Sequence, residues 1–267
     1  MKRYLIIFLL FMSVILTFSG CGKTYEFPLK PVDDSLTYPS NNQIWYTSSD
    51  GQVIEMDARR FSEATPLTNH YKDGKGVITF DKDVTEIGEW AFGYTLLKSI
   101  IIPESVTQIE DYAFCGCENL TNITIPQSVT QIGDSAFARC ENLTSITIPE
   151  SVTQIGDYAF SGCENLTSVT IPQSVTKIGK GVFESCSSLT SITIPKSVTQ
   201  IGDYAFWWCY NLTTIYCKAI TPPTLDGDIF KFSNNVSKIY VPKESVRDYK
   251  NDTNWSKYAS SIVGYDF

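Results

Sequence analysis

Apolar residues recur along this chain at a fixed interval. Phe114, Phe137, Phe160, Phe183 and Phe206 stand 23 residues apart, and so do Leu120, Leu143, Leu166, Leu189 and Leu212. Within one unit, Leu143-Thr144-Ser145-Ile146-Thr147-Ile148 alternates apolar and polar positions. That alternation predicts a short strand with Leu143, Ile146 and Ile148 turned inward and Ser145 and Thr147 outward. Pro149 ends the pairing, because proline brings no N–H to a ladder. Val152 to Ile155 reads as a second short strand on another face. Gly156 is expected to permit a turn. Asp157 to Phe160 is expected to make a tight or helical turn that drives Ala159 and Phe160 inward.

A unit of this length cannot bury its apolar side alone, so units stack and share one core. A period of 20–29 residues with this leucine spacing marks a leucine-rich-repeat solenoid. The fold class expected is an α/β repeat solenoid, dominated by strands. Aligning the central sheet residue gives about eight coils, at Ile78, Ile100, Ile123, Ile146, Val169, Ile192, Ile215 and Ile239. The first full coil is one residue short, and Gly93-Tyr94-Thr95 replaces its Cys-bearing turn. The long phrase from Ile148 to Leu166, repeated with few changes, resembles the BspA-like leucine-rich repeats of bacterial surface lipoproteins. The resemblance is strong over roughly Val77 to Tyr216.

Both ends of such a stack need covering. Ile44 to Thr47 and Gln52 to Ile54, around Ser49-Asp50-Gly51, predict a hairpin. A short helix is expected over Ala58 to Glu63. Cys217 to Ser233 breaks the period, Val236 to Pro242 restores the sheet phrase, and Ser245 to Lys250 predicts a short helix. Trp255, Tyr258 and Ile262 are expected to cover the last coil. The boundaries expected are 1–21 leader, 22–43 tether, 44–76 N-terminal cap, 77–216 solenoid, and 217–267 last coil with C-terminal cap.

The leader reading rests on Lys2 and Arg3 before an apolar run from Tyr4 to Phe18, too short to span a bilayer comfortably. Phe18-Ser19-Gly20-Cys21 resembles a bacterial lipobox, with Phe18 in place of the usual aliphatic residue. Cys21 is then the lipidation site, and the mature chain is lipid-anchored in the bacterial envelope, at the outer membrane or cell surface. A Sec signal with a chance cysteine is the other reading.

Charge narrows the partners. A formal net charge of −8 and a pI near 4.7 argue against nucleic acid or an anionic membrane as partner. His70 is the single histidine, so a His-based triad or two-His metal site is hard to build. Cys117, Cys140, Cys163, Cys186 and Cys209 form one column. A metal ladder or disulfide chain is one reading. Small apolar residues filling a repeated core pocket is the reading preferred, since free cysteine packs as a small hydrophobe and the local C-x-x-C pairs of zinc sites are missing. Asp111, Asp134, Asp157 and Asp203 make an acidic column, as do Glu118, Glu141 and Glu164. Their repetition suits solvated turn residues, with Asp as N-cap of its own turn, better than one acid–base pair. Lys177, Lys180 and Ser187 interrupt these columns in one coil. No cofactor is implied.

The outward sheet face carries Ser99, Asn122, Ser145, Ser168, Ser191 and Thr214 beside Ile101, Thr124, Thr147, Thr170, Thr193 and Tyr216. It is small and rich in hydroxyls, with no base beside any serine. The departure from pattern is Trp207-Trp208 with Tyr210, at positions elsewhere mostly small or polar. These aromatics, with Tyr216, are the candidate ligand-binding residues. The alternative is that the tryptophans pack under the Pro222-Pro223 loop or the C-terminal cap. The function expected is a non-catalytic cell-surface interaction protein. The family resemblance implies adhesion or ligand capture, with a host extracellular-matrix protein among the partners. A carbohydrate-binding surface lipoprotein is the alternative. An enzyme, such as a two-carboxylate hydrolase, lacks an acidic pair that stands out from the repeat.

Overall fold

The computed structural model describes residues 38–233 and 235–267. The leader, most of the tether and Cys21 lie outside the described residues.

The chain winds into a strand-dominated solenoid of about eight turns. Each turn places one strand on a main parallel sheet: β5 (Leu97–Ile101), β7 (Asn122–Thr124), β9 (Ser145–Thr147), β11 (Ser168–Thr170), β13 (Ser191–Ile194), β15 (Thr214–Cys217), β17 (Lys238–Pro242) and β18 (Ile262–Tyr265). Two-residue strands line a second face: β4 (Glu86–Ile87), β6 (Gln108–Ile109), β8 (Gln131–Ile132), β10 (Gln154–Ile155), β12 (Lys177–Ile178), β14 (Gln200–Ile201) and β16 (Thr224–Leu225). Register follows the repeat, so that Val169 pairs beside Ile146 and Ile215 beside Ile192.

The aromatic core is one continuous column. Phe92, Phe114, Phe137, Phe160, Phe183 and Phe206 stack at 5.2–5.8 Å between ring centroids, with planes within 10°. Phe230 extends it at 5.6 Å. Each end is closed by a ring set edge-on, Phe61 against Phe92 and Tyr258 against Phe230. Edge-to-face contact satisfies the last ring's quadrupole without leaving its face to water.

Close approach of coils explains the glycines better than turn freedom. Gly156 has no positive φ, contrary to the turn role expected for it. A Cβ there would lie 2.4 Å from the Asp134 carboxylate and 2.5 Å from the Asp134 nitrogen. The Asp column also works between coils. Asp111 Oδ1 accepts the Asp134 N–H at 2.6 Å, Asp134 Oδ1 that of Asp157 at 2.7 Å, and Asp157 Oδ1 that of Lys180 at 2.8 Å. Each carboxylate therefore caps the next coil, not its own turn. Ser128, Ser151 and Ser197 do the converse, donating to the preceding coil's Val106, Val129 and Val175 carbonyls at 2.6–2.7 Å.

The N-terminal end differs from expectation. β1 (Gln43–Ser48) pairs antiparallel with β3 (Lys75–Phe80) on one side and β5 on the other. The segment Gln52 to Ile54 is not a strand, because Ser48 Oγ donates to the Gln52 carbonyl and Asp50 accepts the Gln52 N–H, closing a local turn. The hairpin instead joins β2 (Pro66–Lys72) to β3 through Asp73 and Gly74, with φ of 51° and 80°. Two left-handed residues match the twist of paired strands. Residues 58–63 form turns, not a helix, since Asp57 binds back to Arg59 and Arg60 while Phe61 drops fully into the core. Because β1 stands between β3 and β5, Ile78 is not the first sheet position. Ile262, paired with Ile239, supplies the eighth.

At the other end, the helix α1 (Val246–Asn251) follows β17. Trp255 is fully buried and donates its Nε1–H to the Pro223 carbonyl at 2.8 Å. It holds the Pro222-Pro223 loop onto the last turns.

The cysteine column lies in this core. Cys117, Cys140, Cys163, Cys186 and Cys209 are free and fully buried. Each thiol donates to a phenylalanine carbonyl of the preceding coil, from Cys117 to Phe92 at 3.0 Å through Cys209 to Phe183 at 3.0 Å. Burial pushes Cys117, Cys163 and Cys209 up to about 12 and Cys217 to about 11, and raises Cys140 and Cys186 well above the usual thiol value. In the unfolded chain these thiols ionise near pH ~8.5. Above that pH the unfolded state binds fewer protons than the folded one, so stability is complete below it and falls as pH rises toward 11–12. Each thiol contributes a slope of about 1.4 kcal/mol per pH unit across that window. Urea midpoints under reducing conditions should therefore drop steeply between pH 8 and pH 10.5; a flat profile would contradict this burial.

Candidate functional site

Six successive coils bend through two left-handed residues each, and the next through one. One column holds Trp90, Tyr112, Ser135, Tyr158, Gly181 and Tyr204, with φ of 52–60°. The other holds Tyr94, Gly116, Arg139, Gly162, Ser185, Trp208 and Phe232, with φ of 58–73°. Alternate N–H groups of this turn then point along the stack. Tyr112, Phe114 and Gly116 donate to the carbonyls of Asp134, Ala136 and Ala138, all at 2.8 Å. Among the non-glycine members, Tyr94, Arg139, Trp208 and Phe232 are exposed and the others half-buried. This edge is where substitutions reach solvent without disturbing the core.

The Trp207-Trp208 departure falls on that edge. The two rings stack at 4.3 Å and 13°, and Trp207 also stacks on Tyr204 at 4.5 Å. Phe232 of the next coil lies 6.1 Å from Trp207 and 6.3 Å from Trp208, within 20° of both planes. Lys231 Nζ sits over Trp207 and Phe232 at 5.8 and 5.4 Å. Trp208 is 36% exposed, Trp207 is half-buried, and Phe232 is exposed. Trp207 Nε1 is buried without a hydrogen-bond partner among the described residues. The Pro223 carbonyl is held by Trp255.

Tyr216 belongs to a different surface. It alternates outward on β15 and stacks on Tyr240 of β17 at 5.0 Å and 15°. Tyr265 of β18 contacts both, at 5.9 and 5.2 Å, and Phe267 lies 5.1 Å from Tyr265. Lys218 and Lys238 flank this cluster, over Phe267 and Tyr240. The sheet face thus changes character along its length. Asn122, Thr124, Ser145, Thr147, Ser168, Thr170, Ser191 and Thr193 are all exposed and small; beyond them lies a contiguous aromatic patch. Tyr210 is exposed on the turn edge, where its carbonyl accepts from Asn235 Nδ2 at 2.6 Å.

The four candidate residues are therefore divided. Trp207 and Trp208 form one cluster with Tyr204 and Phe232, and Tyr216 forms another with Tyr240, Tyr265 and Phe267. Tyr240 was readable by aligning Ile239 with Ile215. Phe232 was hidden by the extra residue that makes its spacing from Trp208 one longer than the repeat, and Tyr265 by the assignment of Ile262 to a cap.

The acidic ladder borders a shallow groove of about 490 Å³ between the second sheet and the turns, lined by Asp111, Asp134 and Asp157. One oxygen of each is engaged with the next coil's backbone. His70 is exposed on β2. Among the described residues no group of three or more His, Cys, Asp or Glu is placed to hold a metal. Among them, too, no helix is long and apolar enough to cross a membrane.

A parallel solenoid of short strands, with leucines at fixed places in each turn, defines a leucine-rich-repeat protein. Six copies of the BspA type leucine rich repeat region match residues 75–167 and 130–254; the chain belongs to this family. It is similar to a leucine-rich repeat protein from Bacteroides ovatus, with 26% identity and a TM-score of 0.45 over 66% of this chain and 61% of that one. A T. pallidum leucine rich repeat protein shows 34% identity and a TM-score of 0.47 over 51% of this chain and 64% of that one. A leucine rich cell surface protein from Faecalibacterium prausnitzii shows 24% identity and a TM-score of 0.44 over 68% and 62%. The chain thus spans less than two thirds of each of these. No curated protein matches it.

The two tryptophans should respond differently to truncation. Trp208→Ala removes an outer ring and should lower stability by under about 1 kcal/mol, while Trp207→Ala opens the middle of a three-ring stack and should cost about 2–3 kcal/mol. Thermal melts of the single variants check this, and equal losses would show that the stack is not layered as described.

Proposed function

We propose that this protein is a non-catalytic interaction scaffold of the bacterial envelope, and that it captures a protein ligand on the aromatic end of its main sheet. The observation that carries this reading is the change of that face from exposed Ser and Thr to the Tyr216, Tyr240, Tyr265 and Phe267 cluster. Exposed, contiguous aromatic surface is costly to leave in water and marks contact sites. A parallel sheet presents it rigidly, so little ordering entropy opposes binding. Membership of the BspA-type family supports an interaction role. Adhesion to a host extracellular-matrix protein is the specific form favoured.

The Trp207, Trp208 and Phe232 platform supports a second reading, carbohydrate binding. Its rings stack with planes within 20° of parallel, and the exposed Trp208 and Phe232 rings offer aromatic surface against which a sugar ring stacks.

Binding of the mature chain to immobilised matrix proteins and a glycan panel tests both. Tyr240→Ala or Tyr265→Ala should weaken capture of a protein ligand by at least about 2 kcal/mol, roughly thirtyfold. Glycan binding lost in Trp208→Ala and retained in Tyr240→Ala would replace the first reading by the second.

Envelope placement rests on the Phe18-Ser19-Gly20-Cys21 motif. Lipidation of Cys21 would supply two or three acyl chains, enough for firm anchoring where one is marginal. The expected outcome is that the parent protein fractionates with membranes and leaves them only in detergent, whereas Cys21→Ser appears in the soluble fraction. Retention of Cys21→Ser in the membrane fraction would remove lipid anchoring from the model of function.

A further inference from the structure

At the opposite end from both aromatic clusters, a groove of about 700 Å³ opens between the N-terminal cap and the first coil. Its walls include Asp50, Val53, Glu55, Trp90, Tyr94 and Leu96. Tyr94 is 61% exposed, and Val53 and Leu96 are exposed as well. The rings are held in place. Trp90 stacks on Tyr112 at 4.4 Å and 1°, with Tyr94 5.9 Å away at 11°. Tyr94 lies over Gly116, where a Cβ would come within 2.4 Å of its ring. This is the coil whose sequence departs at Gly93-Tyr94-Thr95.

The charge of the groove has one sign. Asp50, Glu55 and Asp57 line it, and none of its lining residues is Lys, Arg or His. Asp57 is tied to Arg59 and Arg60, whereas Glu55 is exposed and makes no ion pair among the described residues. Aromatic faces beside carboxylates favour a cation, because the ring quadrupole and the carboxylate charge attract the same group. An acidic segment would meet like charge. The exposed apolar edge of Val53 and Leu96 suits the aliphatic stem that lysine or arginine carries behind its charge.

We propose that this groove binds a basic peptide segment, with one lysine or arginine head placed between Glu55 and the Trp90 and Tyr94 rings. The site is independent of the C-terminal patch and stands whether or not that patch binds a ligand.

Calorimetric titration of the folded full chain with a capped peptide of alternating glycine and lysine tests it. The same peptide with glutamate for lysine is the comparison. The lysine peptide should bind and the glutamate peptide should not. Tyr94→Ala and Glu55→Gln should each weaken binding at least about fivefold, while Tyr94→Phe, which keeps the ring, retains it. Glu244→Gln removes a carboxylate elsewhere and should change nothing, and Tyr240→Ala should also be silent, which separates this site from the C-terminal one. Absence of binding by the parent chain would overturn the proposal. So would equal weakening by Glu244→Gln, which would mean diffuse attraction to an acidic protein. Displacement of the peptide by a neutral oligosaccharide, or unchanged affinity in Tyr94→Ala, would overturn it too.

Discussion

The structure depends on backbone pairing from one coil to the next at a constant interval. No coil can satisfy its own polar groups, because its strands are only two to five residues long. Thr130 donates back to Thr107, and Gly133 back to Ile109, while Tyr112, Phe114 and Gly116 donate forward. The two ladders run in opposite directions around one core. Both require each residue to meet its counterpart one repeat away. The interval holds from Phe114 to Phe206, and where the next coil is one residue longer the forward bond from Trp208 to Lys231 stretches to 3.4 Å. Asp111, Asp134 and Asp157 add a side-chain version of the same pairing, and the buried thiols another.

That pairing has a conformational cost. Two residues per coil enter the left-handed region, and most are not glycine. For an L-residue this costs about 1–2 kcal/mol each. The forward ladder offsets it, since the left-handed bends aim the alternate N–H groups along the stack. The bends also decide what the turn edge can carry. Their side chains leave the core, so serine, arginine, tyrosine and tryptophan all occupy one column without altering the Phe stack beneath.

Repetition and surface variety sit in different parts of the molecule for the same reason. A column in which every coil is alike makes a uniform surface with no preferred place for a ligand. The ends differ because each must be sealed. Phe61 and Tyr258 close the aromatic column edge-on, β1 covers the first sheet strand, and Trp255 pins the Pro223 loop. Sealing brings in aromatic residues that have no counterpart in the repeat. The surplus rings are Tyr94 at one end, stacked beside Trp90, and Tyr216, Tyr240 and Tyr265 at the other.

The repeat was legible in the sequence because its cause is local and reiterated. The alternation in Leu143 to Ile148, the proline stop and the constant interval determined the solenoid, its inward residues and its hydroxyl-rich sheet face. The lone Trp207-Trp208 departure also stood out against so regular a background. The ends were not legible, since β1 pairs across fifty residues with β5 and nothing local distinguishes that partner from a hairpin at Ser49-Asp50-Gly51. Ile262 likewise reads as cap until its place beside Ile239 is seen. The tertiary structure alone decided that Tyr216 parts from Trp208 and joins Tyr240 and Tyr265, because strand pleat sends one outward on the sheet while a left-handed bend sends the other to the turn edge. It alone decided the role of Gly156 as well: the limit there is the distance to Asp134 of the coil before, a contact that neighbouring residues in sequence do not express.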